Sequence, residues 1–407
     1  MGGEPPWACY PEGREPVQGE RPCQFPGCGD IFAPPNPRST SKYCPKHPGG
    51  RVRANPPEPQ PDLSAEQLER LSGFLRERVP LLPIPPKIFA TRIEDMGFDT
   101  PQEGVALFSD LHYYSQIDRR VTGICEYNID IARDRMARWR DGLLRFTQMN
   151  QLWVPLDTLH IFALGDELEG HGRMFPTQAL QMSESLLFQV MGFVEDMTDV
   201  LLSFLARYKK VIIYKVVGNH GRTAERARDS YGPDNAELFA WEIIAERVRG
   251  ACGGTWQETA DGVHALTGGS IDFHLHRSFL AKVDILGWRC VGRHGHGIRG
   301  LDSTYVGALD NKLRLNSVLG EIIHYYFKGH LHERQSAESE IGGEVIQNGS
   351  FVGPSLLTLE RSRAAATLPS QEFMLFHPRY GKTHQHTIHL ATAEEVRQVR
   401  WIGEEKE

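Results

Sequence analysis

The sequence predicts an α/β body, on three observations. Short apolar runs rich in β-branched and aromatic residues recur along the chain, stretches with helical spacing separate them, and each run ends abruptly in polar residues. At 407 residues, 40% of them hydrophobic, the chain exceeds the ~250 to 300 residues at which one core stops growing, so a large domain plus an appendage is expected.

The first element in order is a small module over residues 1–50, rich in proline, glycine and cysteine. Cys23 and Cys28, then after fifteen residues Cys44 and His47, have a spacing close to small Cys3His zinc sites. Gly27 and Gly29 allow a tight turn, and Phe25, Ile31, Phe32 and Tyr43 offer a tiny core. The module resembles a short zinc ribbon, because so short a segment folds only around a metal; a disordered tail with incidental cysteines is the alternative. Cys125, Cys252 and Cys290 are scattered and odd in number, a poor disulfide framework.

Residues 51–62, ending in the proline-rich stretch Ala54 to Pro61, read as a stiff linker. Residues 63–100 read as a connecting helix and lead-in: Ser64 and Gln67 form a capping box, and Leu68, Leu71, Leu75 and Val79 follow at helical spacing until Pro80. The main domain is expected over 101–391. Its strands are predicted at Val105 to Ser109, Leu159 to Leu164, Val211 to Val217, Ile271 to Leu275, Ile285 to Val291 and Ile322 to Phe327. Helices are predicted from about Gln178 to Tyr208 and from Asn235 to Arg249, and a charged tail over 392–407 as a peripheral helix or frayed end.

A net charge of −7 and a pI near 6.2 exclude a wholesale basic coat for nucleic acid but leave room for a local patch. No leader pattern opens the chain and no run reaches the ~18 apolar residues of a membrane helix, so a cytoplasmic protein without a membrane partner is expected.

Chemistry concentrates where the strands end. The first run leads into Asp110 and His112, which a two-residue step on extended backbone would point to one side. The second leads into Gly165-Asp166, the third into Gly218-Asn219-His220, and the later runs into Arg293-His294-Gly295-His296 and Gly329-His330-Leu331-His332. Any one of these histidines is more readily a surface or hydrogen-bonded core imidazole. Five strand ends that all deliver oxygen or nitrogen donors point instead to a two-metal centre, with Asp and His as a mixed hydrolytic ligand set.

These motifs resemble the ordered signature of calcineurin-like metallophosphoesterases over residues 103–352, and Asn348-Gly349-Ser350 is similar to that family's last turn. The resemblance implies a four-layer αββα sandwich with the metals at strand ends. It implies that Asp110, His112, Asp166 and His332 hold one cation and that Asp166, Asn219, His294 and His330 hold the other, Asp166 bridging. The cations would be Mn, Fe or Zn, apart from the one structural Zn of the module. His220 would be a general acid or a donor to phosphate. The family often has an acid directly after that histidine, whereas this chain has Gly221-Arg222. Either Glu167, Glu169 or another acid replaces it, or Arg222 binds phosphate; Arg222 as a solvated loop residue is the equal alternative.

The strings Gly165 to Gly172, Gly218 to Arg222 and Gly349 to Gly353 look most similar to phage and prophage phosphoesterases, with a weaker likeness to DNA exonucleases. Arg207, Lys209, Lys210, Lys215, Arg222, Arg226 and Arg228 surround the Asn219 motif, opposed within that span only by Glu225, and predict phosphate affinity. A phosphate ester is the expected substrate and DNA the narrower expectation. A phosphomonoesterase or protein phosphatase is the alternative, and a non-catalytic binding scaffold is the alternative of another class.

Overall fold

The computed structural model describes residues 100–123, 125–175, 177–226, 229–296, 305–339, 343–353 and 367–400, with isolated positions between 9 and 73. The chain divides into two units, Met1–Phe89 and Ala90–Glu407.

In the first unit three two-residue strands, β1 (Cys9–Tyr10), β2 (Arg21–Pro22) and β3 (Ile31–Phe32), form an antiparallel sheet in the order β1-β3-β2. Of the expected zinc ligands Cys28 is half-buried, while Cys23, Cys44 and His47 lie outside the described residues. Glu66, Glu69, Arg70 and Gly73 are helical, as the capping pattern predicts.

The second unit runs β4 (Gln102–Phe108), α1 (Arg119–Thr122), α2 (Ile129–Asn150), β5 (Leu156–Ala163), α3 (Leu186–Phe204), β6 (Lys210–Lys215), α4 (Ala236–Cys252), β7 (Thr255–Glu258), β8 (Val263–Thr267), β9 (Ile271–His276), β10 (Ala281–Ile285) and β11 (Trp288–Arg293). It continues with α5 (Tyr305–Leu319), β12 (Tyr325–Lys328), β13 (Gln335–Glu338), β14 (Glu344–Gln347), β15 (Ser370–His377), β16 (Gly381–His389) and α6 (Ala393–Arg400).

An eight-stranded sheet has the order β16-β15-β4-β5-β6-β9-β8-β7, and a five-stranded sheet the order β10-β11-β12-β14-β13. The centre of each is parallel: β4, β5, β6 and β9 in one, β11, β12 and β14 in the other. Side chains alternate along each strand. Val105 and Leu107 therefore meet Cys290, Tyr325, Phe327 and Ile346 of the facing sheet, while Ala106 and Phe108 meet Trp139, Phe193 and Trp241 of α2, α3 and α4. Leu315 and Leu319 of α5 cover the outer face of the smaller sheet against Val291, Tyr326 and Val345. The result is the helix, sheet, sheet, helix layering the motifs imply. Burial of the central strands on both faces explains their unbroken apolar runs.

Three expected elements differ from the structure. The helix predicted from Gln178 begins only at Leu186, because Gln181 and Ser183 pair instead with the loop after β4: Gln116 N–H donates to the Gln181 carbonyl and Ser183 N–H to that of Tyr114. The run Ile285 to Val291 is two strands. Leu286 and Gly287, with φ of 53° and 88°, form a two-residue turn between Ile285 and Trp288, and such a turn needs left-handed backbone at both positions. The last predicted strand starts at Tyr325 rather than Ile322: His324 still bonds both neighbouring strands, through Arg289 and Glu344, but Ile323 N–H turns away to Asn316 Oδ1 at 3.0 Å.

Candidate metal centre

Both sheets turn the carboxyl ends of their parallel strands toward one place. β4 delivers Asp110 and His112, β5 Asp166, β6 Asn219 and His220, β11 His294, and β12 His330 and His332. Asp110, His112, Asp166 and His294 are buried, and the other four are half-buried.

The backbone at these positions is strained. Asp110, His112, Asp166, His330 and His332 all have φ between 49° and 74°, and among the described residues only Tyr114 and Leu286 share that trait without being candidate ligands. This corrects the expectation that extended backbone aligns Asp110 with His112, and the same holds for His330 and His332. Both pairs lie beyond their strands in left-handed conformation, which costs roughly 1 to 3 kcal/mol per residue and persists only where surrounding structure enforces it. The enforcement is visible. His112 N–H donates to the Asp166 carbonyl at 3.0 Å, and the Asp110 carboxylate accepts the His330 N–H at 3.0 Å. Behind Asp110, the Asn348 amide donates to Ser109 Oγ at 2.9 Å and to Gln371 Oε1 at 2.5 Å.

Gly165 and Gly218 meet backbone to backbone. A Cβ on Gly165 would lie 2.5 Å from Gly218 Cα, and one on Gly218 would lie 2.3 Å from both the amide nitrogen and Oδ1 of Asp166. The glycines preceding Asp166 and Asn219 are thus what allow those two side chains to approach.

Donor atoms gather in three overlapping groups: Asp110, His112 and His332; His112, Asp166 and His220; and Asp166, His294 and His330. His294 Nδ1 donates to the Leu164 carbonyl at 2.9 Å. Its Nε2 then faces Asp166 Oδ2 at 2.8 Å, Asn219 Oδ1 at 3.0 Å and His330 Nδ1 at 3.2 Å. Without a cation, burial opposes an imidazolium at His294, yet the Asp166 carboxylate holds it up to about 9. Burial and then the charge on His294 press His330 down to about 3. One proton serves this cluster, whereas a divalent cation would satisfy all four donors, so the residues fit a metal.

The other group has the same character. His112 Nδ1 donates to Glu169 Oε2 at 3.1 Å, leaving Nε2 3.1 Å from His332 Nε2, which lies 3.5 Å from Asp110 Oδ1. Burial works against ionisation of Asp110, but the His332 hydrogen bond holds its carboxyl at about 2.

Glu169 also resolves the missing acid after His220. His220 Nδ1 donates to the Glu169 main-chain carbonyl at 2.8 Å, with Glu169 Oε1 3.8 Å away, so Nε2 points inward, 4.0 Å from Asp166 Oδ2. Burial lowers the His220 pKa, but Asp166 and Glu169 outweigh it and the net shift is upward. The carboxylate of Glu169 serves His112 instead, a role sequence reasoning missed because its signal lies in a ring 57 residues away. Arg222 is half-buried, with its Nε unpartnered among the described residues; burial lowers its pKa while the Asp166 charge acts the other way.

The three lysines of the basic strip are neutralised on folding. Lys209 pairs with Asp157 and Lys210 with Asp272, each at 2.7 Å, both at the start of β6, roughly 17 Å of strand from the site. Lys215 is fully buried between Glu167 and Glu237. Arg222 feels the Asp166 charge, Arg207 and Arg226 are exposed, and Arg228 lies outside the described residues. The opposing acids come from distant segments, which a count within one span does not see.

Fold and site together define an α/β sandwich with a buried Asp, Asn and His centre at its strand ends. No family model matches the chain, and no curated protein matches it. Among solved structures, Vps29 complexed with zinc from Entamoeba histolytica overlays at 10% identity and a TM-score of 0.29, covering 71% of this chain and 99% of that one. A dimetal phosphatase from Danio rerio does so at 12% identity and 0.31, covering 72% and 100%. A 5'-nucleotidase from Candida albicans does so at 12% and 0.30, covering 75% of this chain and 58% of that one. At that level of overlap the chemistry rests on the residues of this chain.

Proposed function

We propose that the chain is a metal-dependent phosphoric ester hydrolase. One cation would be held by Asp110, His112, Asp166 and His332, the other by Asp166, Asn219, His294 and His330. The observation that carries this is the convergence of these side chains from five strand ends, most of them on left-handed backbone. Bound there, two divalent cations supply Lewis acidity toward phosphoryl oxygens and lower the pKa of a water. Asp166 shares one donor group with His112 and another with His294 and His330, which supports it as the residue that would bridge. His220, fixed by its Nδ1 donation to the Glu169 carbonyl, turns Nε2 inward, where in its protonated form it would donate to the leaving-group oxygen. Arg222, without an ion-pair partner among the described residues, orients the phosphate.

DNA is the narrower reading, supported by the motif pattern and by Arg222 and Arg226. The neutralisation of Lys209, Lys210 and Lys215 favours the alternative, a small phosphomonoester, which needs no extended basic track. The test is an assay of the manganese-, iron- or zinc-reconstituted chain on an aryl phosphate bis-ester, the mono-ester, and single- and double-stranded DNA. Asp166→Asn should abolish every activity and lower bound metal while unfolding stays cooperative. Full activity in metal-depleted Asp166→Asn overturns the dinuclear reading, and the substrate ranking decides between diester and monoester.

A further inference from the structure

Behind the site lies a charged group that the chemistry above does not use. Lys215, Glu167 and Glu237 are each fully buried, and the Lys215 ammonium donates to Glu167 Oε2 and, at 3.0 Å, to Glu237 Oε2. Two carboxyl groups around one ammonium in a dry interior cost several kcal/mol to desolvate and are weak evidence of stabilisation, so another role is called for.

The geometry supplies one. Glu237 Oε2 also accepts the Gly218 N–H at 3.1 Å. Asn235, which caps α4 by accepting the Glu237 N–H at 2.9 Å, donates its amide to the Gly218 carbonyl at 3.2 Å. Ala236 N–H donates to the Gly221 carbonyl at 2.7 Å. The first turn of α4 thereby grips both ends of the segment Gly218 to Gly221, which carries Asn219 and His220. A Cβ on Gly221 would meet Glu237 Cγ at 2.5 Å, so the grip is close. Lys215, at the end of β6, ties Glu237 to Glu167, the neighbour of Asp166.

We infer that Lys215, Glu167 and Glu237 are positioning residues: they lock the Asn219 and His220 loop to Asp166, so that the cation group built on Asp166, Asn219, His294 and His330 is preformed. This rests on the dinuclear reading proposed above. Glu237→Leu removes the acceptor for Gly218 N–H and leaves Lys215 balanced by Glu167 alone, whereas Glu237→Gln keeps an acceptor in place.

The test is calorimetric titration of Co2+ into the metal-free full chain, together with kcat and KM for an aryl phosphate. In wild type two binding events are expected besides that of the amino-terminal module, which is identified by its loss in Cys23→Ser. Glu237→Leu should weaken one of them about 10- to 100-fold, as losses of outer partners to metal ligands do, spare the other, and lower kcat with little change in KM. Glu237→Gln should lie closer to wild type. If Glu237→Leu does not fold, Asn235→Asp carries the test, since it keeps the cap on Glu237 N–H and sets a carboxylate against the Gly218 carbonyl; the same selective weakening is expected. No cobalt uptake by wild type beyond the event of the amino-terminal module overturns the dinuclear reading and this inference with it. Two intact binding events in wild type, with both weakened equally or neither weakened in the folded variant, overturn the loop lock alone.

Discussion

Replacing Glu169 should separate the two tasks that its geometry assigns to one residue. Its carboxylate accepts from His112 Nδ1 at 3.1 Å, and both side chains are buried. Its carbonyl accepts from His220 Nδ1 at 2.8 Å and from the Gln178 amide at 2.7 Å. Glu169→Leu deletes the first link, together with the 3.2 Å donation from Gln178 Nε2 to Glu169 Oε1, and leaves both main-chain contacts in place. His112 then loses the partner that sets its tautomer and aims Nε2 at His332 and the Asp110 group. Losing such an outer partner typically costs about 10- to 100-fold in metal affinity, or roughly 1.4 to 2.7 kcal/mol. His220 keeps its tether because that is main chain. The expected outcome is a dissociation constant raised by that factor for one cation, with kcat returning close to wild type once Mn2+ is saturating. Activity against Mn2+ concentration, with calorimetry on the metal-free protein, measures both quantities. If metal affinity is unchanged while kcat stays about 100-fold down at saturating metal, the carboxylate acts on His220 or on substrate, and its assignment to His112 is wrong.

Three further outcomes are expected. Gly218→Ala should destabilise the fold by about 1 to 3 kcal/mol in denaturant unfolding and reduce bound metal, because the added methyl collides with Asp166; unchanged stability would show that the loop yields. Burial, aided by His274, holds His276 on β9 down to about 4 from 6.5, so it binds fewer protons folded than unfolded between those values. Its contribution to stability, roughly 3 kcal/mol, is complete above pH 6.5 and is lost as pH falls toward 4; His276→Gln should flatten that acid limb, and an unchanged slope contradicts the assignment. Cys23→Ser should release one zinc, measured by elemental analysis, while the second unit still hydrolyses an aryl phosphate; equal zinc in the variant and wild type refutes the ribbon.

What the sequence determined by itself was local: which runs are buried strands, and which donor types follow each of them. Val105 to Phe108 read as a strand because burial on both faces leaves only apolar side chains there, and the polar residues after it stand out against that background. Helix α4 read nearly to its ends because Asn235 is a cap written in the sequence. Tertiary structure alone decided the rest. Asp110 and His112 face one cluster through left-handed backbone that contacts across the sheets enforce, and nothing in their own segment specifies it. His112 meets His332 across 220 residues, Glu169 turned out to serve His112 by side chain and His220 by main chain, and the lysines near Asn219 found acids on other segments. Strand propensity and residue type are properties of a few neighbouring residues, whereas the partner of a charge or of a ring nitrogen is whatever the packed chain places within about 3 Å of it.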